Sequence, residues 1–332
     1  MKSRAFLILA ALALGGAAAL GAKAPVEVNA NAITEDLLPP ALSEFGFFAD
    51  PARQVPSQGV IPYRLNTPLY SDGAEKLRFA YVPPGQKARG NGEGLIDFPA
   101  GTALIKTFKF NGRLIETRVM LHRAGGWLAL PYRWNESQTD AQLVVAGARM
   151  PVTTPDGEEI SYRIPNKNQC KECHGLDGAV IPLGPKARNL SAEWLAGMVT
   201  DGRLDAMPQV HDTMPLWEAR GEGDVAASAR AYLDVNCAHC HRPGATASNS
   251  GLDLRWEQDD PHSYGVFKRP VAAGRGAGGL EFSIVPGEPD QSILLHRMNS
   301  IEPGVAMPEL GKGTIDHDGV AIVRQWIAEM RQ

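Results

Sequence analysis

All four cysteines of this 332-residue chain lie in two copies of one pattern, Gln169-Cys170-Lys171-Glu172-Cys173-His174 and Asn236-Cys237-Ala238-His239-Cys240-His241. Two thiols separated by two residues, with an imidazole directly after the second, form the arrangement that attaches c-type haem. Each thiol adds across a haem vinyl group, and the His supplies the proximal nitrogen to iron. The pattern predicts two covalently bound haem c groups, one held by Cys170, Cys173 and His174 and the other by Cys237, Cys240 and His241. Two other chemistries use paired cysteines. A four-thiolate zinc site would close the loop between the motifs, but zinc asks for no His after each pair. A redox dithiol belongs beside a thioredoxin-like βαβ unit, and nothing around either motif reads that way.

The first residues bear on the compartment. Lys2 and Arg4 precede an apolar run from Ala5 to Leu20, and small residues from Gly15 to Ala24 offer several cleavage sites. This reads as a secretory signal over residues 1–24, which places the mature chain in the periplasm, where covalent haem attachment takes place. An uncleaved anchor is the lesser reading, because the run falls short of the roughly 20 residues a membrane span needs. No later segment is apolar enough for stable membrane insertion. The formal net charge is −4, from 33 basic and 37 acidic residues, and loss of Lys2 and Arg4 leaves 31 against 37, or −6. With no basic block and no aromatic-interleaved Lys/Arg stripe, nucleic acid is excluded as a partner.

The length allows two or three domains, and the pattern of residues changes twice after the signal. Residues 33–165 alternate in the manner of strands. The clearest piece runs from Thr102 to Phe110, turns at Asn111-Gly112, and returns from Arg113 to His122. Asn-Gly is the preferred two-residue hairpin turn, and Ile115, Thr117, Val119 and Leu121 form one face of the second strand. Leu128 to Trp134 supply a third strand, and Tyr63–Tyr70, Leu77–Val82, Gln142–Val145 and Glu158–Ile164 are shorter candidates. An antiparallel β sandwich or barrel is expected. Residues 166–223 carry the first haem motif and one short helix from an N-cap at Ser191 to Thr200, too little for a free-standing cytochrome domain. From 224 to 332 helical spacing returns. Val225, Ala229, Tyr232 and Leu233 lead into Cys237, a short helix is expected over Pro289–Asn299, and Val320, Val323, Ile327 and Met330 line a closing helix. The predicted class is α+β and multidomain, with a mostly α cytochrome c region after the β domain.

Met307 is the natural sixth ligand of the second haem. It lies 66 residues after His241 in Ala306-Met307-Pro308, on a Gly/Pro-rich loop that is a poor place for a core thioether. Over Asp224 to Gln332 the chain resembles class I cytochromes c, which run helix, Cys-x-x-Cys-His, loops, a Met often followed by Pro, and a terminal helix. The resemblance implies that the Met307 sulfur binds iron opposite His241. For the first haem the distal candidates are Met198, Met207, His211 and Met214. Met207 and Met214, each followed by Pro, are preferred. The order of a β domain followed by Cys-x-x-Cys-His also resembles, weakly, cytochrome c-prime-beta, in which haem sits on a β-sheet and the distal site can be open.

A wider resemblance rests on Arg230-Ala231-Tyr232-Leu233-Asp234-Val235 leading into the second motif, with Glu116-Thr117-Arg118, Tyr132-Arg133-Trp134-Asn135, Gln138-Thr139-Asp140-Ala141 and Ile164-Pro165-Asn166. These segments resemble a family of exported di-haem cytochromes c. Its relatives are joined to, or encoded beside, pyrroloquinoline quinone sugar dehydrogenases. The family has no settled function, so the implication stays close to electron transfer: a carrier between an exported quinoprotein dehydrogenase and another cytochrome. The alternative is a peroxidase-like haem enzyme or gas-binding sensor working at an open first haem. His122, His239, His262, His296 and His317 read as surface or packing residues, and no catalytic constellation can be argued from spacing.

Overall fold

The computed structural model describes residues 26–271 and 273–331, so the secretory-signal reading of residues 1–24 lies outside the described residues. The N-terminal part contains a helix α1 (Ala30–Thr34), a 3-10 turn at Leu42–Phe45, and strands β1 (Phe48–Asp50), β2 (Val55–Pro56), β3 (Val60–Tyr63), β4 (Glu75–Tyr81), β5 (Ala103–Phe110), β6 (Arg113–Arg123), β7 (Gly126–Trp134), β8 (Ala141–Leu143), β9 (Ala148–Thr153) and β10 (Glu159–Ile164). Six of these form one antiparallel sheet in the order β3-β4-β5-β6-β7-β8. Every neighbour in space is a neighbour in sequence, so the sheet is a meander that needs only short turns. Asn111 and Gly112, both at positive φ of 47° and 82°, make the β5–β6 turn as the sequence predicts.

Strand alternation sends two different sets of side chains to the two faces. Ile105, Val119 and Leu130 are cross-strand neighbours on one face, and they pack under Ile33, Phe45 and Phe47 from α1 and the turn after it. Leu104, Met120 and Ala129 share the other face, which is covered by Cys170, Leu190, Leu195 and Met198. Both faces are therefore buried without a second large sheet. The expected sandwich or closed barrel is corrected to an open sheet, since β3 and β8 are its two edges. The β8 edge is blunted by the chain around Pro40, whose carbonyl accepts from Leu143 N at 2.9 Å. The β9–β10 hairpin closes one end of the sheet, where Val152, Tyr162 and Ile164 meet Phe108 and Phe110.

Beyond Ile164 the chain forms α2 (Cys170–His174), a hairpin of β11 (Gly175–Leu176) and β12 (Ala179–Val180), α3 (Ala192–Thr200), α4 (Val225–Asn236), α5 (Pro261–Tyr264), α6 (Ile293–Met298) and α7 (His317–Glu329). The predicted cap at Ser191 is in place, its side chain accepting from Trp194 N; Asp224 caps α4 by accepting from Ala227 N, and Asp316 caps α7 by accepting from Gly319 N. Long irregular loops separate these helices, so the mostly α character expected of this region is replaced by a few helices set in loops. α4 and α7 pack together through Ala229, Tyr232 and Leu233 against Val320, Val323 and Ile327. Each fully buried aliphatic side chain there contributes about 1.5–3 kcal/mol.

Gly319 permits the close approach of these two helices, because a Cβ at that position would lie 2.3 Å from Cζ of Tyr232. In an open helix interior Gly→Ala stabilises by about 1 kcal/mol. Gly319→Ala is expected instead to destabilise by about 1–3 kcal/mol through overpacking, read as a lowered thermal midpoint. A raised midpoint would rule out this crossing.

Candidate haem site

One cavity of about 730 Å³ is lined by Cys170, Cys173, His174, Cys237, Cys240 and His241 together. The fold thus brings both sequence motifs to a single chamber between the sheet and the α4–α7 pair.

Local hydrogen bonding shapes each attachment turn. Before α2, Gln169 N donates to Asn166 Oδ1 at 2.8 Å and Asn166 N donates to Gln169 Oε1 at 3.1 Å, a reciprocal pair that closes the turn into Cys170. The β11–β12 hairpin then folds the chain back, and Ile181 O accepts from His174 Nδ1 at 2.8 Å. A carbonyl can only accept, so Nδ1 carries the proton and Nε2 keeps its lone pair. Burial, with Lys106 adding to it, pushes His174 down to about 3, so the ring is neutral at ordinary pH.

The second turn reaches the same state by different partners. α4 delivers Cys237, whose N–H donates to Leu233 O at 2.9 Å. The Ser250 hydroxyl gives its one proton to Ala247 O at 2.7 Å and therefore accepts from His241 Nδ1 at 2.9 Å. His241 is also lowered, chiefly by burial. A ring nitrogen fixed by a carbonyl or hydroxyl, with the other nitrogen free and neutral, is how metal-ligating histidines are held. Burial raises Cys170 and pushes Cys237 up to about 12, which keeps both as thiols. Interaction between the two thiols raises Cys173 and lowers Cys240, an effect that would vanish once both sulfurs are thioethers. The donor set fits covalent haem. Among the described residues no three His, Cys, Asp or Glu side chains gather to hold a metal ion, so the four thiols do not converge on a zinc site.

The two turns are locked to each other. Glu172 O accepts from Cys240 Sγ at 3.7 Å and from Thr246 Oγ at 3.0 Å, and Asp177 N donates to Gly244 O at 3.0 Å. Behind them Asp234 of α4, 2% exposed, accepts from Lys186 Nζ at 2.6 Å and lies 3.6 Å from Arg188.

Met307 lines the cavity, as do Met120 and Met298. The preferred distal candidates of the first motif are not brought there. Met207 is exposed at the surface; Met214 is buried but does not line the cavity, its backbone N–H donating to Arg188 O at 2.8 Å. Met198 packs in the core under the sheet, and His211 is exposed. The cavity also takes residues that the sequence alone does not assign to the site. Arg78, Lys106, Arg118 and Met120 come from the sheet itself, and His239, read as a bystander, lines the chamber with an Nδ1 that has no partner among the described residues. Strand alternation placed Arg118 and Met120 on one face; nothing in it said what covers that face.

Comparison with known families adds one match, to cytochrome c oxidase, cbb3-type, subunit III, over residues 161–219. It contains the Cys170–His174 turn, so the chain has a cytochrome c region, which implies covalently bound haem c, haem-based electron transfer and redox protein partners. The match falls on the segment that by its sequence is too short and helix-poor for a free-standing cytochrome domain, and not on the class I-like stretch after Asp224. No curated protein and no solved structure matches the chain. Among the described residues no helix is long and apolar enough to cross a membrane.

Asp234→Ala would leave the buried Lys186 ammonium without a carboxylate. A loss of about 3–5 kcal/mol is expected, measured by chemical unfolding of the haem-loaded protein.

Proposed function

We propose that the chain is a periplasmic di-haem c-type cytochrome that carries electrons from an exported dehydrogenase, of the quinoprotein class, to a downstream acceptor such as another cytochrome. The observation that carries this reading is that Cys170, Cys173, His174, Cys237, Cys240 and His241 all line one chamber, with Cys240 Sγ donating to Glu172 O of the first turn. Bound haem would supply the one-electron couple. The chain's own residues do the rest: four thiols fix position, His174 and His241 present neutral Nε2 atoms, and Leu104, Met120, Leu254 and Val320 wall the chamber against water. The mildly acidic chain has no single strong field, so docking of partners relies on local patches and depends only moderately on salt.

Protein matured in an export-competent host is expected to exceed the processed polypeptide by the mass of two haem groups. An adduct of one haem, or none, would end the di-haem reading. Met307 is the proposed sixth ligand at the second site. Thioether ligation favours reduced iron, so Met307→Ala should lower that potential and admit carbon monoxide there. Unchanged coordination would move the assignment to Met298 or a His.

A second reading, a peroxidase-like enzyme or gas sensor with an open first haem, is favoured by one observation: Met198, Met207, His211 and Met214 do not line the chamber. Carbon monoxide binding by the reduced wild-type protein, together with peroxide turnover, would decide for it.

A further inference from the structure

The sheet floor beside the first attachment turn carries more positive charge than it has partners for. Arg78 on β4, Lys106 on β5 and Arg118 on β6 are register partners across three adjacent strands, so their side chains leave one face in a single row. All three line the cavity. Arg78 is 7% exposed, and its guanidinium donates to the Lys76 carbonyl at 3.3 Å. Neither Arg78 nor Lys106 has a carboxylate within ion-pair distance among the described residues. Arg118 has Glu116, but that carboxylate also accepts from the Tyr162 hydroxyl at 2.6 Å. Lys76 adds a further cation behind the row, its Nζ on Ala74 O at 2.9 Å. The three basic side chains in the cavity thus share one carboxylate, that of Glu116. Burying an uncompensated charge is strongly unfavourable, so an arrangement of this kind calls for an anion in the space it faces. Cys170 packs on this same face with Leu104 and Met120, which lie next along β5 and β6 from Lys106 and Arg118.

Resting on the haem reading of the first motif, we infer that Arg78, Lys106 and Arg118 form an anion-binding row that holds carboxylate against the haem of the Cys170–His174 site. Two sources share that chemistry: the propionates of that haem and a small soluble anion.

The test uses the loaded protein, checked by intact mass for both haems, as wild type, Arg78→Gln, Lys106→Gln and Lys106→Arg. Removal of the unpaired Lys106 charge strands no partner, so that variant should fold. If the haem propionates fill the row, both Gln variants shift the propionate-bending band in resonance Raman spectra, Lys106→Arg keeps it, and formate leaves the wild-type visible spectrum unchanged. If a soluble anion fills it, formate gives a saturable change in the wild type that weakens at least about tenfold in both Gln variants, as loss of a charge-assisted hydrogen bond requires. The inference is overturned if the Gln variants match wild type in both readouts, or if Lys106→Arg behaves as Lys106→Gln. It is overturned also if both Lys106 variants lose the first haem by mass, which would make Lys106 a packing residue. A wild type lacking haem on Cys170 and Cys173 would instead defeat the function proposed above, and the mass alone separates the two failures.

Discussion

The carbonyl of Glu172 is the point on which the two halves of the site depend. It sits between the paired thiols of the first turn and accepts from Cys240 Sγ and Thr246 Oγ of the second. Neither bond is strong: a typical net contribution is about 0.5–1.5 kcal/mol. Their effect is geometric, because they fix one attachment turn against the other, and the rest of the fold reinforces that register. Asp234 ties α4 to Lys186 and Arg188 just beyond the first turn. Asp72, from the loop before β4, accepts from Gly313 N at 2.6 Å and Thr314 N at 3.0 Å at the approach to α7, and Tyr70 N donates to Asn236 Oδ1 at 2.7 Å at the end of α4. The chamber is therefore tied by polar contacts to the sheet, to α4 and to the approach to α7.

Local signals were legible wherever a segment's own residues decide its form. The Asn111-Gly112 turn and the cap at Ser191 lie where the sequence puts them. Tyr63–Tyr70 was read as a strand, but only Val60–Tyr63 pairs, because beyond Tyr63 the backbone turns to serve other partners: Thr67 N donates to Asn189 Oδ1 at 2.8 Å. Such long-range contacts leave no local periodicity. β9 was missed for a related reason. Ala148–Thr153 contains Pro151 and exposes alternate residues, so it looks like a loop until β10 returns beside it.

The site divides in the same way. The six attachment residues were legible because covalent chemistry fixes their spacing, whereas a distal ligand can come from anywhere in the fold. Met207-Pro208 and Met214-Pro215 imitate the pattern of Met307-Pro308, yet Met207 stays at the surface and Met214 is spent in the packing around Asn66 and Arg188. Strand alternation sets Lys106 and Arg118 on the face that the first-motif segment covers, and Lys106 is pushed down to about 7 by burial with Arg118 and Arg78 beside it.

The extent of the family match sharpens what this chamber requires. Residues 161–219 contain Cys170, Cys173 and His174, but few of the walls around them. The floor is Leu104, Met120 and Ala129 of the sheet, and the opposite side is the end of α4 with Cys237, Cys240 and Thr246 of the chain that follows it. Detached from these, the first turn would open to water, and solvent exposure around a metal centre changes both its potential and its access to ligands. α2 is a single turn of five residues, too short to persist without tertiary support. The segment that the family model matches thus depends on the rest of the chain for its surroundings. The β-sheet, which has no cytochrome signature of its own, supplies the wall that makes the site a buried one.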